Sequence, residues 1–228
     1  MIEAITGSAL FGIVLCLGTF RLGAVLQRKT KLTLVNPLLV SIILCILVIK
    51  VFQIPMENFF KGADVLNMLL PPATALLALN IYNQIKLLKK YALPVLVGCT
   101  MGSLSSMVSV TLGCKLLGID KAISAALLPK SCTTPIAIEI AQGRGGLVPI
   151  AIVGVLIAGI SGAVLAPHFA KIFKVDNPVA EGLAIGACSH AMGTTKAIEI
   201  GEVQGAMSGV AIGVCGLISV VLSMFLPV

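Results

Sequence analysis

Charge is what this sequence most lacks. Sixteen Lys and Arg and nine Asp and Glu make up 11% of 228 residues, against about 25% in a typical soluble domain. So few charges cannot clothe a chain that is 58% hydrophobic with a mean hydropathy of +1.10, which excludes a water-soluble enzyme and a disordered chain alike. Tryptophan is absent and there are two tyrosines, so no aromatic platform for nucleic-acid bases accompanies the net charge of +7. The basic residues instead flank apolar runs, as in loops facing an anionic, cytoplasmic membrane surface. CxxC spacing is also missing. The seven cysteines, Cys16, Cys45, Cys99, Cys114, Cys132, Cys188 and Cys215, suit neither a disulfide framework nor structural zinc and read as small packing residues. No phosphate loop, HExxH motif or spaced triad occurs, and two histidines without a carboxylate cluster make no metal site. The expectation is a non-enzyme without cofactor or metal.

What the chain does have is apolar length. Runs free of Asp, Glu, Lys and Arg cover residues 4–20, 32–49, 65–85, 91–114, 145–170 and 203–228, each near or above the roughly 17–25 residues a crossing helix needs. Glu3 precedes the first run and Arg21, Arg28, Lys29 and Lys31 follow it, so it is expected to stay as a membrane helix rather than leave as a signal peptide. Two further regions, 121–142 and 178–201, have crossing length but are interrupted by Lys130 and Glu139, and by Lys196 and Glu199. The expected fold is all-α: one integral membrane domain over residues 1–228, a polytopic transmembrane bundle of about eight spanning or partly spanning segments. Residues 1–60 would be scaffold-like, 61–117 a first repeat-like region and 118–228 a second region carrying two broken helices.

Strict alternation through eight spans puts the basic loops at 21–31 and 86–90 on one side and Lys171 and Lys174 on the other. The positive-inside bias then reverses midway. A re-entrant or half-spanning segment between residues 120 and 200 restores it and orients the two halves oppositely, the inverted repeat common in secondary transporters. Ala137-Ile138-Glu139-Ile140 recurs as Ala197-Ile198-Glu199-Ile200, with Thr133-Thr134 and Thr194-Thr195 just upstream.

The broken segments hold the chemistry. In Pro129-Lys130-Ser131-Cys132-Thr133-Thr134-Pro135 two prolines six residues apart cannot both sit inside one helix. Thr134 before Pro135 fits an N-cap, so a half-helix is expected to start there with its free N–H groups near mid-membrane, where they can bind a carboxylate. Lys130, Ser131, Thr133 and Thr134 add donors. The bland alternative is a proline kink whose hydroxyls satisfy loosened carbonyls, but an intramembrane Lys and Glu are costly unless used. The second segment, residues 188–199, repeats this chemistry without proline: Gly193 permits a break, Thr194 or Thr195 caps a half-helix, and Lys196 and Glu199 share one face at i, i+3. His190 beside Ser189, Thr194 and Lys196 has an unperturbed pKa of about 6.5, suited to proton coupling. His168, beside Pro167 and Lys171, reads as interfacial. Pro71-Pro72 should bend or start a helix, and Asn80-Ile81-Tyr82-Asn83-Gln84 either lines a pathway or ends a span at the interface. Gly98/Gly102 and Gly205/Gly209/Gly213 favour close helix packing.

At these residues the chain resembles the LrgB/CidB family of bacterial inner-membrane proteins. Residues 129–137 with Glu139, then Ser189-His190-Ala191-Met192-Gly193-Thr194 with Lys196, Ala197 and Glu199, and the Gly-rich last helix from Gly205 carry the likeness, which extends over nearly the whole chain. Residues 80–84 match the family's usual Pro-Leu-Tyr-Lys-Gln run only loosely. The resemblance implies an eight-span or near-eight-span protein of the bacterial plasma membrane with a small LrgA/CidA-like membrane partner. It further implies one of two roles: antiholin-like regulation of murein hydrolase export and autolysis, or transport of small acids of the glycolate, glycerate and pyruvate type. Buried Lys, His and Glu on paired broken helices suit a carrier better than a weakly selective lesion. The expectation is therefore a proton-coupled, elevator-type secondary transporter of small monocarboxylates, acting as a homodimer or higher oligomer. Lys130, Ser131, Thr133, Thr134, Pro135, Ser189, His190, Gly193, Thr194, Thr195 and Lys196 would form the substrate site. His190, Glu139 or Glu199 would carry the proton.

Overall fold

The computed structural model describes residues 6–30 and 35–226, less the side chains at positions 73, 74, 77, 78, 80 and 81. Glu3, Lys31 and the side chains of Asn80 and Ile81, all weighed above, therefore lie outside the described residues. The described chain is helical: α1 (Ala9–Thr30), α2 (Pro37–Val51), α3 (Met56–Asn67), α4 (Leu70–Asn83), α5 (Ile85–Lys90), α6 (Ala92–Leu116), α7 (Lys121–Leu127), α8 (Thr134–Gly143), α9 (Val148–Ile172), α10 (Pro178–Ile200) and α11 (Glu202–Phe225). Four of them, α1, α6, α9 and α11, are long and apolar enough to cross a membrane. Large apolar side chains stand exposed along these helices, Leu17, Leu96, Ile157 and Leu217 among them. That surface suits lipid rather than water.

The chain forms two compact units, Met1–Ala73 and Thr74–Val228, with the division falling inside α4. In the first, α1 packs on α2 and α3. Gly12 and Gly62 let α1 and α3 approach so closely that a Cβ on Gly62 would stand 2.7 Å from the Cα of Gly12. Between α1 and α2 the buried Thr19 hydroxyl meets Ser41 Oγ at 2.8 Å and Cys45 Sγ at 3.3 Å. Helix α1 runs on through Arg21, Arg28 and Lys29, residues expected in a loop. The run at 65–85 is not one span: α3 ends at Asn67 and α4 covers 14 residues, about 21 Å of rise against a hydrocarbon core of about 30 Å. Pro71 and Pro72 do start a helix, falling in the first turn of α4.

In the second unit the two interrupted regions fold back on themselves instead of crossing. Within α10, His190 has φ 43° and ψ −138°. A straight helix would hold Ile185 and Gly193 about 12 Å apart, yet a Cβ on Gly193 would lie 2.9 Å from Ile185 Cγ2. Both arms, 178–189 and 191–200, lie along α11. Gly182 and Gly186 on the outgoing arm touch the backbone of Gln204 and Ser208, while on the returning arm Ile198 meets Gly205 and Thr194 bonds Ser208. Helices α7 and α8 form the other hairpin. Its tip is residues 128–133, Ala126 and Ala141 share a core cluster with Ala151, and Leu147 N–H donates to Ala122 O at 3.4 Å where the hairpin closes.

The two hairpins enter from opposite ends. The α7–α8 hairpin opens beside the start of α9 and the end of α11, where Arg144 Nη2 donates to Leu226 O at 2.6 Å. The α10 hairpin opens beside the end of α9: Glu181 and Ile200, from its two arms, line one groove with Pro167, Lys171 and Lys174. Helix α6 flanks both, with Gly98 and Gly102 against Leu183 and Ala187 of α10. The expected Gly98/Gly102 close approach is thus an α6–α10 contact. The equivalent Gly182/Gly186 pair on α10 went unmarked in the sequence.

Candidate functional site

The two hairpin tips meet on the middle of α9. Val155 is the meeting point: its side chain clusters with Cys132 and Ala137 from the first hairpin, and its carbonyl oxygen lies 3.0 Å from His190 Nε2 of the second. Three glycines on α9 make room. A Cβ on Gly154 would crowd Leu127 Cδ2, just before the first tip, at 3.0 Å, one on Gly159 would press on the His190 ring at 2.6 Å, and one on Gly162 would overlap Ser189 Oγ. Tip residues separated by sixty positions in sequence are thereby gathered along two turns of one helix.

Lys130 stands on the first tip, half-buried, with its ammonium donating to Ser106 Oγ of α6 at 3.2 Å and to Ser131 Oγ at 3.5 Å; the two hydroxyls are 2.9 Å apart. No carboxylate pairs with it: the ion pair among the described residues is Lys196–Glu199. Thr133 is the N-cap of α8 by its backbone, and its side chain makes no capping bond. The cap thus falls one residue before the expected Thr134, which is the first helical residue with Pro135 following. Thr133 Oγ1 and Ser189 Oγ are both buried without a hydrogen-bond partner among the described residues. A buried hydroxyl left unpaired costs about 1–3 kcal/mol, so each tip carries a polar atom that a ligand's oxygen would complete: Thr133 on the first, at the start of α8 and three residues from Lys130, and Ser189 on the second, against Gly162 of α9.

His190, 4% exposed, is the tip of the second hairpin. The break falls at this residue, not at Gly193 as expected. Gly193 instead provides clearance, because its Cβ would collide with Ser189 and Ile185 of the outgoing arm. A non-glycine residue at φ 43° is strained by about 1–3 kcal/mol, and the ring's bond to Val155 helps hold it there. With Nε2 donating to that carbonyl, a neutral ring leaves Nδ1 as an acceptor. Thr194 donates to His190 O at 3.0 Å and pairs with Ser208 Oγ at 2.7 Å, so it ties the returning arm to α11 rather than capping it. Thr195 is exposed, bonding Ala191 O at 3.3 Å. Lys196 and Glu199 do share a face, paired at 2.9 Å; Glu199 and Glu139 are both exposed on returning arms. The repeated Ala-Ile-Glu-Ile blocks take matching places, Ala137 and Ala197 fully buried and each Glu outward. Ser106, Val155 and the α9 glycines are site residues that sequence reasoning missed. The serines Ser103, Ser105, Ser106 and Ser109 inside an otherwise apolar span were the available signal.

Among the described residues no group of three His, Cys, Asp or Glu side chains is placed to hold a metal ion. All seven cysteines are free. His168 is exposed in the last turns of α9, near Val164 O.

Comparison with known proteins adds the lineage. The model of the LrgB-like family matches residues 16–228. An antiholin-like protein LrgB of Bacillus mycoides (strain KBAB4) is 36% identical over 226 residues, 98% of each chain. Proteins of the same name from Bacillus cereus (strain B4264) and Bacillus anthracis (strain CDC 684 / NRRL 3495) are 35% identical over the same share. No solved structure matches the chain. A family match over nearly the whole length, joined to relatives above one-third identity, makes this chain a member of the LrgB-like family.

Proposed function

We propose that this LrgB-family membrane protein is a secondary transporter of small monocarboxylates of the pyruvate, glycolate and glycerate type, resident in a bacterial plasma membrane. The observation that carries the reading is the meeting of two opposed hairpin tips on the middle of α9, with a lysine that no carboxylate pairs on the first tip and a buried, unpartnered hydroxyl on each among the described residues. Half-helix starts and an uncompensated cation favour an anion, and hairpins entering from both ends are a transporter plan. A single such lysine, with Lys196 already neutralised by Glu199, suits one carboxylate rather than two. Thr133, Ser131 and Ser189 supply hydroxyls for the remaining oxygens, and Thr134-Pro135 supplies the helix start. His190 is the coupling proton carrier we favour, because Glu139 and Glu199 face outward. The opposed hairpins support an inverted repeat, and an elevator-type motion of the unit that carries them. No enzymatic step is part of this proposal.

The relatives' printed name favours a second reading. An antiholin-like protein would regulate murein hydrolase export and autolysis through a small LrgA/CidA-like membrane partner. That name fits this reading better than it fits a carrier. Purified protein in liposomes separates the two. A carrier gives saturable uptake of pyruvate, glycolate, glycerate or lactate that responds to a pH gradient, without dye release. A pore-forming holin partner system gives dye release that rises steeply with protein density. Protein that moves neither acids nor dye, and alters lysis only with its partner present, refutes the carrier.

A further inference from the structure

The hairpins decide which loops share a side of the membrane, and the charges then follow. Because region 121–142 folds back, α6 and α9 are consecutive crossings, and the start of α6 lies at the same end as the finish of α9. Contacts agree: Leu87, Leu88 and Tyr91, around the start of α6, pack on the same core cluster as Val179 and Leu183 of the α10 hairpin, whose mouth adjoins Lys171 and Lys174. One end of the second unit therefore carries Lys86, Lys89, Lys90, Lys171 and Lys174, with Lys196 on the arm that returns to it. The opposite end, where Arg144 meets Leu226, carries Lys115, Lys121 and Arg144. Lys and Arg in short loops, not net charge, set orientation in a membrane, and five against three puts the first end inside. The reversal of charge bias that straight crossings would impose does not occur.

We infer that the end bearing Lys86, Lys89, Lys90, Lys171 and Lys174 is an interaction surface for anionic lipid headgroups of the cytoplasmic leaflet, so that the α10 hairpin opens to the cytoplasm and the α7–α8 hairpin to the outside. Lys86, Lys89, Lys90, Lys171 and Lys174 are all exposed, and the attraction of such residues for an anionic surface falls off within a Debye length, as an end-on contact requires. The orientation does not depend on what the protein carries.

Lys89→Cys, Lys171→Cys and Lys121→Cys test it in the full-length chain, each against the parent protein, in spheroplasts exposed to a membrane-impermeant maleimide before and after permeabilisation. These lysines make no side-chain hydrogen bond or ion pair among the described residues, so the substitutions leave the fold intact. Lys89→Cys and Lys171→Cys should react at least tenfold more after permeabilisation, and Lys121→Cys equally well before it. Lys89→Cys and Lys171→Cys reacting from opposite sides would overturn the hairpin pairing of the two ends. Both reacting in intact spheroplasts would overturn the orientation, as would protection of all three.

Discussion

Replacing Gly162 by alanine tests the seating of the α10 tip on α9. The added methyl would overlap Ser189 Oγ and stand 2.7 Å from Ser189 Cβ. Rotating Ser189 moves the hydroxyl aside but not Cβ, whose place is set by the backbone next to the strained His190. Overpacking of this kind costs about 1–3 kcal/mol, and a tip pushed off α9 also loses the His190–Val155 hydrogen bond, about 0.5–1.5 kcal/mol more. Alanine's better helix propensity returns up to about 1 kcal/mol, so the net loss is near 2 kcal/mol. At about 2–4 °C per kcal/mol for a chain of this size, Gly162→Ala should melt about 4–8 °C lower. With no tryptophan to report unfolding, a thiol-reactive fluorogenic dye is the suitable probe, since Cys45, Cys99, Cys114, Cys132 and Cys215 are buried. Gly113→Ala is the control, because nothing lies within 4 Å of its Cβ position, and it should melt no lower than the parent. Ser189→Gly added to Gly162→Ala removes the colliding atoms and should recover most of the loss. Equal melting of Gly162→Ala and Gly113→Ala, or no recovery in the double variant, refutes the close seating.

Thr133→Ala and Ser189→Ala remove buried hydroxyls without a hydrogen-bond partner among the described residues, so each should raise stability, by up to about 1–3 kcal/mol, while uptake of a small acid falls tenfold or more; a melting loss with unchanged uptake would contradict a ligand role. His190→Gly should melt above His190→Ala, by about 1–3 kcal/mol of relieved backbone strain, and equal melting would mean that φ 43° is not strained in the protein. Lys130→Ala should abolish uptake with less than about 1 kcal/mol of stability lost, because Ser106 and Ser131 remain paired with each other; wild-type uptake would remove Lys130 from the site. His190→Ala, Glu139→Gln and Glu199→Gln together identify the coupling residue: pH-gradient stimulation should vanish in the first alone, and Glu199→Gln, breaking an exposed pair worth about 0.2–1 kcal/mol, should fold normally.

Several features were legible because they are local. Proline pairs stop helices wherever they sit, so the interruption around Pro129–Pro135 and the helix start at Pro71-Pro72 could be placed to within a residue or so. The glycine break was misplaced by three residues for an equally physical reason. Gly193 tolerates positive φ, and sequence invites assigning the break to it, but its missing Cβ is needed for clearance against Ile185. The strained turn falls on His190, whose ring the Val155 carbonyl holds.

Composition alone determined that this is a helical membrane protein, since so few charges over so much apolar length leave lipid as the surface. Periodic runs and intramembrane Lys, His and Glu marked which segments are unusual. Whether such a segment crosses or folds back is not a local property: the same residues have length enough for either, and the choice rests on whether a neighbouring helix offers a place for the tip. Gly154, Gly159 and Gly162 of α9 offer it. That packing brings Lys130 to Ser106, and His190 to Val155, across separations no sequence period encodes, and it puts Lys86, Lys89 and Lys90 at the same end of the second unit as Lys171 and Lys174.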